Sequence, residues 1–150
     1  MASLDIGIDL GTTSVIVYMH GQGIILREPS VVAVDTRDNT VMAVGEEAYE
    51  MIGKTPAYIN AIRPLRDGVI SNHILTEFMI KEFLRKTSKS LMIKPRVAIC
   101  VPSSITDVES RAVVQAATNA DARKVFLVEE PIAAAIGAGI DIKEANGVLI

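Results

Sequence analysis

The residues with the clearest chemical potential lie near the N-terminus, where an acid and a glycine precede three hydroxyl side chains. Asp9 ends an apolar run, Gly11 follows two positions later, and Thr12, Thr13 and Ser14 carry the hydroxyls. Glycine lets backbone N–H groups approach an anion closely, and such groups bind phosphate oxygens together with hydroxyls. An acid beside them can hold Mg²⁺ through the waters of the ion. The alternative is a hairpin turn whose side chains bond only their own backbone.

A second candidate is the pair of acids before Pro131. Glu129 and Glu130 follow the β-rich run 125–128 and precede an Ala-rich segment, so they lie between a strand and a helix. A carboxylate at this position can orient or deprotonate a water that attacks a phosphate. The alternative is that both acids are favourable charges at a helix N-terminus.

A third candidate is the apolar pair Leu91 and Met92, which lies between a predicted helix and a predicted strand. Lys89, Lys94 and Arg96 flank the pair. At a loop tip, the apolar side chains could enter a lipid surface while the cations meet anionic headgroups. The alternative is a loop that folds back on the core. Two residues bury too little area to anchor one molecule, so we expect membrane binding to need a filament that repeats the loop.

The composition excludes several other classes of function. Fifteen Lys and Arg against eighteen Asp and Glu give a formal charge of −3, unlike the basic surface of a nucleic-acid binder. His20 and His73 are too isolated to suggest a metal site, and one cysteine, Cys100, excludes a disulfide framework. We expect Cys100 to be a small buried hydrophobe. No apolar run reaches the roughly 20 residues of a membrane span, and we predict a cytoplasmic protein without a signal peptide.

The order of elements predicts an α/β fold with a mixed sheet, antiparallel at its beginning and parallel later. Thr106 and Glu109 form a capping box for a helix that should bury Val108, Ala112, Val113 and Ala116. Residues 63–70 are predicted to be an irregular linker. Strands are predicted at 4–10, 15–19, 24–26, 31–34, 41–44, 96–101, 125–128 and 147–150, and helices at 46–52, 74–84, 106–120 and from Pro131.

Eight blocks of sequence resemble bacterial actins of the MreB type, within the superfamily of actins, seventy-kilodalton heat-shock chaperones and sugar kinases. The resemblance runs from residue 5 to residue 150 and covers the N-terminal half of such a protein. The blocks are GIDLGTT (7–13), GQGI (21–24), EPSVVA (28–33), VGEEA (44–48), GKTP (53–56), IRPLRDGVI (62–70), EEP (129–131) and AAAIG (133–137).

The resemblance implies the ribonuclease-H-like actin fold, with a five-stranded mixed sheet flanked by helices and a small inserted α/β subdomain. It places the core subdomain at residues 1–31 and 81–150 and the insertion at 32–80. It also implies ATP and Mg²⁺ as cofactors, and polymerisation into filaments at the inner face of the cell membrane that guide wall synthesis. Filament subunits, the membrane and wall-synthesis membrane proteins would be the partners.

The resemblance also assigns roles to the candidate residues. Asp9 would hold Mg²⁺ through water, 11–14 would contact phosphate, Glu130 would position the attacking water, and Leu91 with Met92 would contact the membrane. By analogy alone, Arg63, Arg66 and Asp67 would face a neighbouring subunit.

Thr13 and Ser14 depart from the Ala-Asn pair that is more common in bacterial actins and are closer to the chaperone branch. A chaperone-type or kinase member of the superfamily is therefore one alternative, and a half-actin interaction module without ATPase activity is another. The second phosphate loop would begin after Ile150. We therefore expect the 150-residue chain alone to bind ATP weakly and to be inactive as an ATPase.

Overall fold

The computed structural model describes residues 4–66, 69–88 and 94–143. Alternating apolar residues form most of the strands, and helices follow where the apolar spacing changes to three or four. In chain order the elements are β1 (Asp5–Leu10), β2 (Ser14–Met19), β3 (Gly23–Pro29), β4 (Val32–Asp35), β5 (Thr40–Val44), α1 (Glu46–Glu50), β6 (Ile59–Ile62), β7 (Leu65–Arg66), β8 (Val69–Ile70), α2 (His73–Ser88), β9 (Arg96–Val101), α3 (Asp107–Asn119), β10 (Lys124–Glu129) and α4 (Glu130–Gly137).

The larger sheet, here called the core sheet, has five strands in the order β10-β9-β1-β2-β3. β1, β2 and β3 form an antiparallel meander, and β9 and β10 continue the sheet parallel to β1. The predicted mixed sheet is therefore confirmed. The carboxyl ends of β1, β9 and β10 meet at one edge, where ligands of α/β sheets commonly bind.

One face of the core sheet is buried and the other is more open. Side chains alternate between the faces, so every second residue of β1 and β9 lies in the core. α2 and α3 pack beside each other and supply the rest of this core. The fully buried side chains at this interface include Ile8, Val97, Ile99, Met79, Ile80 and Phe83.

A three-stranded sheet, here called the inserted sheet, has the order β5-β4-β6 and packs against α1. It spans Val32–Ile62, inside the predicted insertion of 32–80. The limits of that insertion stay a prediction, and residue 80 itself lies within α2, where the Ile80 side chain is fully buried in the core cluster.

Some local expectations are confirmed and others are wrong. Thr106 and Glu109 form the predicted capping box. Val108, predicted to be buried, is 70% exposed, because α3 turns Val113 and Ala116 toward the core instead. β6 was not predicted from the sequence. The segment 63–70, predicted to be an irregular linker, contains the short strand pair β7–β8. The predicted strand at 147–150 lies outside the described residues.

Glu28 joins the core sheet, the inserted sheet and α2 at one point. Both of its carboxylate oxygens lie 2.8 Å from Lys86 Nζ. One of them also accepts a hydrogen bond from the Glu46 N–H at the start of α1. Gly45, with φ of 76°, leaves room for this carboxylate, which a side chain at that position would overlap. Glu28 therefore joins β3 to α2 through a partly buried ion pair, and to the start of α1, which packs against the inserted sheet, through one hydrogen bond.

Candidate functional site

Asp9, Cys100 and Glu130 lie near one another at the edge formed by the carboxyl ends of the parallel strands. Asp9 is paired in register with Cys100 of β9, and Cys100 with Val128 of β10. Glu130 begins α4 directly after β10. Neighbouring strands are about 4.8 Å apart, so three elements distant in sequence converge at this edge.

Each of these three groups has its pKa raised. Burial of the carboxyl raises the pKa of Asp9 above its usual value. Burial, and next the charge of Asp9, raise the pKa of Glu130. Burial, followed by the charges of both acids, raises the pKa of the Cys100 thiol. No ion pair reaches either carboxylate within 4–66, 69–88 and 94–143, so the edge concentrates negative charge without local compensation.

Cys100 was expected to be a buried hydrophobe, and that expectation is wrong. Val97, Ile99 and Val101 of β9 face the core, so alternation turns Cys100 to the opposite, more open face. It is partly exposed and lies beside Asp9. The alternation of the sequence already puts Cys100 on the face opposite to its strand neighbours, but it does not indicate which face of the sheet carries the site.

The turn from Gly11 to Ser14 is compact. A Cβ atom at Gly11 would lie 2.7 Å from the carbonyl oxygen of Ser14, so only glycine fits there without rearrangement. The hydroxyl of Ser30 donates a hydrogen bond of 2.5 Å to the Gly11 carbonyl, and the Ser30 N–H donates one of 3.0 Å to the Thr13 carbonyl. Ser30 is fully buried, so it supports the turn from beneath.

This support fixes the direction of the N–H groups in the turn. In a trans peptide the carbonyl and the following N–H point in opposite directions. Holding the carbonyls of Gly11 and Thr13 toward Ser30 therefore directs the N–H groups of Thr12 and Ser14 away from it. Ser30 was not predicted to be a site residue, because its hydrogen-bond partners lie about 20 positions away in the sequence and no local motif marks it.

A family model described as MreB/Mbl protein matches residues 3–150 of this sequence. The chain belongs to the MreB/Mbl family. It is 50% identical over its whole length to cell shape-determining protein Mbl of Bacillus subtilis strain 168, and 47% identical to cell shape-determining protein MreB of Escherichia coli strain K12. In each case it covers 45% of the relative, so the chain spans about half the length of these curated relatives.

Solved structures confirm the predicted actin-type fold for this MreB/Mbl chain. MreB5 of Spiroplasma citri bound to ADP superimposes with a TM-score of 0.81 at 35% identity, over 95% of this chain and 43% of that one. The MamK double helical filament superimposes with a TM-score of 0.75 over 92% of this chain and 44% of that one. At 21% identity, the MamK comparison supports the fold alone.

The MreB/Mbl chain offers a carboxylate suited to water-mediated Mg²⁺ binding. Among the described residues, no group of three or more His, Cys, Asp or Glu side chains could hold a metal directly. Mg²⁺ keeps several of its waters and needs few protein ligands. The Asp9 side chain is exposed at the edge and lies two residues before the compact turn begins at Gly11. This arrangement fits a hydrated ion that shares its waters with phosphate oxygens.

The predicted membrane loop lies largely outside the described residues. Leu91 and Met92 belong to the segment that the structure leaves undescribed, so their membrane contact stays a prediction. Of the flanking cations, Lys89 also lies outside the described residues, whereas Lys94 pairs with Asp121 at 2.6 Å and Arg96 pairs with Asp5 at 2.6 Å. Both therefore have protein partners besides any lipid. Within the same described ranges, no helix is both long and apolar enough to cross a membrane.

Proposed function

We propose that this chain is the nucleotide-binding N-terminal half of a cell-shape cytoskeletal protein that binds and hydrolyses ATP and polymerises. The observation that carries the proposal is the meeting of the compact turn 11–14, Asp9 and Glu130 at one edge of an actin-type sheet. The family supports it, since related chains are named cell shape-determining proteins. A structural neighbour is described as bound to ADP, and another as bound to AMPPNP.

The residues of this edge suit the chemistry of phosphoryl transfer to water. The N–H groups and hydroxyls of the turn would bind phosphate oxygens, with Ser30 keeping the turn in shape. Bound ATP and Mg²⁺ would supply the activated phosphoryl group and the neutralising charge. Glu130 would orient the attacking water and accept its proton. Its raised pKa makes this carboxylate a better proton acceptor than an ordinary Glu.

Polymerisation and membrane attachment complete the proposal. One of the fold neighbours, MamK, is described as a double helical filament, and we propose self-association for this chain as well. Leu91 and Met92 would then touch the inner face of the cell membrane at each subunit, so that many weak contacts add along the filament. Membrane proteins of wall synthesis would be recruited to this line of subunits.

ATP-dependent sedimentation of the native gene product tests the proposal. We expect the protein to pellet with ATP and Mg²⁺ and to release phosphate, whereas without nucleotide it stays in the supernatant. Liposomes of anionic lipid added to the assembled protein should co-sediment, and replacing Leu91 and Met92 with Ser should abolish only that step. Failure to bind any adenine nucleotide, or assembly that ignores the nucleotide, would refute the proposed function.

A further inference from the structure

A cationic cavity opens on the side of the turn that faces the inserted sheet. It has a volume of about 440 Å³, and Thr12 of the turn forms part of its wall. Arg63 and Arg66 line it together with the apolar side chains of Val31 and Leu65. No carboxylate lines this cavity among the described residues. In a chain with a formal charge of −3, a cavity whose described charged lining residues are both arginines favours an anion.

Arg63 is held against the turn. Its Nη1 atom lies 3.4 Å from the Thr13 carbonyl, and this is its one hydrogen bond in the described part of the chain. Its other N–H groups remain available for a ligand. The backbone is fixed by the following residue, because the Pro64 carbonyl accepts hydrogen bonds from both the hydroxyl and the N–H of Ser71. The backbone beside Arg63 is therefore anchored, and its guanidinium lies within reach of the turn.

We propose that Arg63, with Arg66 at the rim, binds a phosphoryl oxyanion beside the turn. The inference rests on the proposed nucleotide site and adds a ligand contact to it. The anion is either the terminal phosphoryl group of a bound nucleoside triphosphate or free phosphate. A planar guanidinium matches two phosphoryl oxygens at once, and it neutralises charge that Asp9 and Glu130 would otherwise repel. Arg63 and Arg66 both line this cavity, and a contact of Arg63, Arg66 and Asp67 with a neighbouring subunit stays a prediction by analogy.

The test measures nucleotide and phosphate binding by the native gene product and by Arg63→Gln. The dissociation constants are those of a non-hydrolysable ATP analogue, of ADP, and of inorganic phosphate added to the ADP-bound protein. A charge-assisted contact to the terminal phosphoryl group predicts about 10-fold weaker binding of the analogue, with ADP affinity nearly unchanged. Weaker binding of inorganic phosphate alone would assign the cavity to free phosphate. Either result supports the inference.

Two further variants keep the test sharp. Arg66→Gln at the exposed rim should weaken the same ligand by a smaller factor, and it remains informative if Arg63→Gln fails to fold. Arg111→Gln on the exposed surface of α3 removes the same charge far from the cavity, and it should change none of the three constants. Equal weakening of analogue and ADP, or no change in any constant, would overturn the inference while the proposed function stood. A native protein that binds phosphate but no nucleotide would refute the proposed function and retain the anion site.

Discussion

The carboxylates at the edge of the core sheet and the carboxylate in the inserted sheet have opposite electrostatic surroundings. The edge carries Asp9 and Glu130, and the inserted sheet carries Asp35. Asp35 is buried and pairs with Arg37, whose Nη2 lies 2.5 Å away. Hydrogen bonds from Arg37 lower the pKa of Asp35 to about 2. At the core-sheet edge, burial of each carboxyl raises the pKa values of Asp9 and Glu130, and the charge of Asp9 raises that of Glu130 further.

This difference in pKa shift distinguishes Asp35, whose carboxylate maintains the structure, from Asp9 and Glu130, whose carboxylates we propose face a ligand. The Arg37 guanidinium also stacks 3.8 Å from the centre of the Tyr58 ring, so the Asp35 pair fastens β4 to the segment before β6. The carboxylates at the edge are left uncompensated within the described ranges, which costs stability in the ligand-free protein. Perturbed acids of this kind concentrate at functional sites. The charge of Asp35 is thus satisfied within the protein, whereas those of Asp9 and Glu130 have no ion-pair partner among the described residues, at the edge where we propose that a cation and a water bind.

The largest effect should come from Glu130→Gln, which keeps the size of the side chain and removes its basicity. ATP turnover by the native gene product should fall by about 10²- to 10⁴-fold, while nucleotide binding persists. The folded protein should be no less stable at neutral pH, since a carboxyl with a raised pKa is disfavoured in its charged form. Glu129→Gln is the matched control, because Glu129 is exposed and should leave turnover intact. Equal losses in both variants would remove the distinction between the two acids.

The next largest effect should come from Gly45, at the place where Glu28 of the core sheet meets the inserted sheet. Gly45→Ala places a methyl group onto Glu28 Oε2 and within 3.0 Å of Phe83 Cε1, at a φ of 76°. We expect about 3 kcal/mol lower free energy of unfolding from strain and overlap together. Gly53→Ala is the control: its φ of 71° is similar, but nothing lies within 4 Å, so it should cost only about 1–2 kcal/mol. Urea denaturation measures both, and equal costs would show that Glu28 yields freely.

Ser30→Ala tests the support under the turn. Loss of the buried hydroxyl should cost about 1–2 kcal/mol of unfolding free energy, measured by thermal denaturation. Thr76→Val should cost about as much, since Thr76 is buried and its hydroxyl donates to the Asn72 carbonyl at 2.8 Å, remote from the site. Only Ser30→Ala should also speed amide hydrogen exchange in the turn and weaken nucleotide binding severalfold. Unchanged exchange at Thr12 and Ser14 would contradict the support role.

The smallest effect should be the acid dependence contributed by Asp35. Because the folded-state pKa of about 2 lies below the ordinary Asp value of 3.8, the contribution of the pair is complete above pH 3.8 and is lost as the pH falls toward 2. Asp35→Asn should remove this part of the pH profile of unfolding. Glu50→Gln, at the exposed end of α1, should leave the profile unchanged. A profile that Asp35→Asn does not alter would mean that Arg37 finds another acid.

Local patterns in the sequence predicted most strands of the core sheet, but they did not predict the residues that support the turn of the candidate site. Alternation identified β9 to the residue, and the capping box fixed the start of α3. Asp9 and Glu130 were recognisable because each lies at or just beyond the carboxyl end of a strand. Ser30 and Arg63 were not recognised as turn contacts, because they reach Thr13 from 17 and 50 positions away through tertiary packing. The residue types alone do not indicate hydrogen bonds between positions that are far apart in the sequence.

The chain crosses from β3 to β4 through Ser30 and Val31, which are both fully buried. Ser30 is bonded to the turn, and the Val31 carbonyl accepts from Gly45 N–H in the inserted sheet. Any swing of one sheet against the other must twist the backbone at these two residues, which have no free space in which to twist independently. Rotation of one sheet against the other is therefore mechanically coupled to the shape of the turn 11–14. A force that separates the two sheets would deform the turn, and a ligand that tightens the turn would resist their separation.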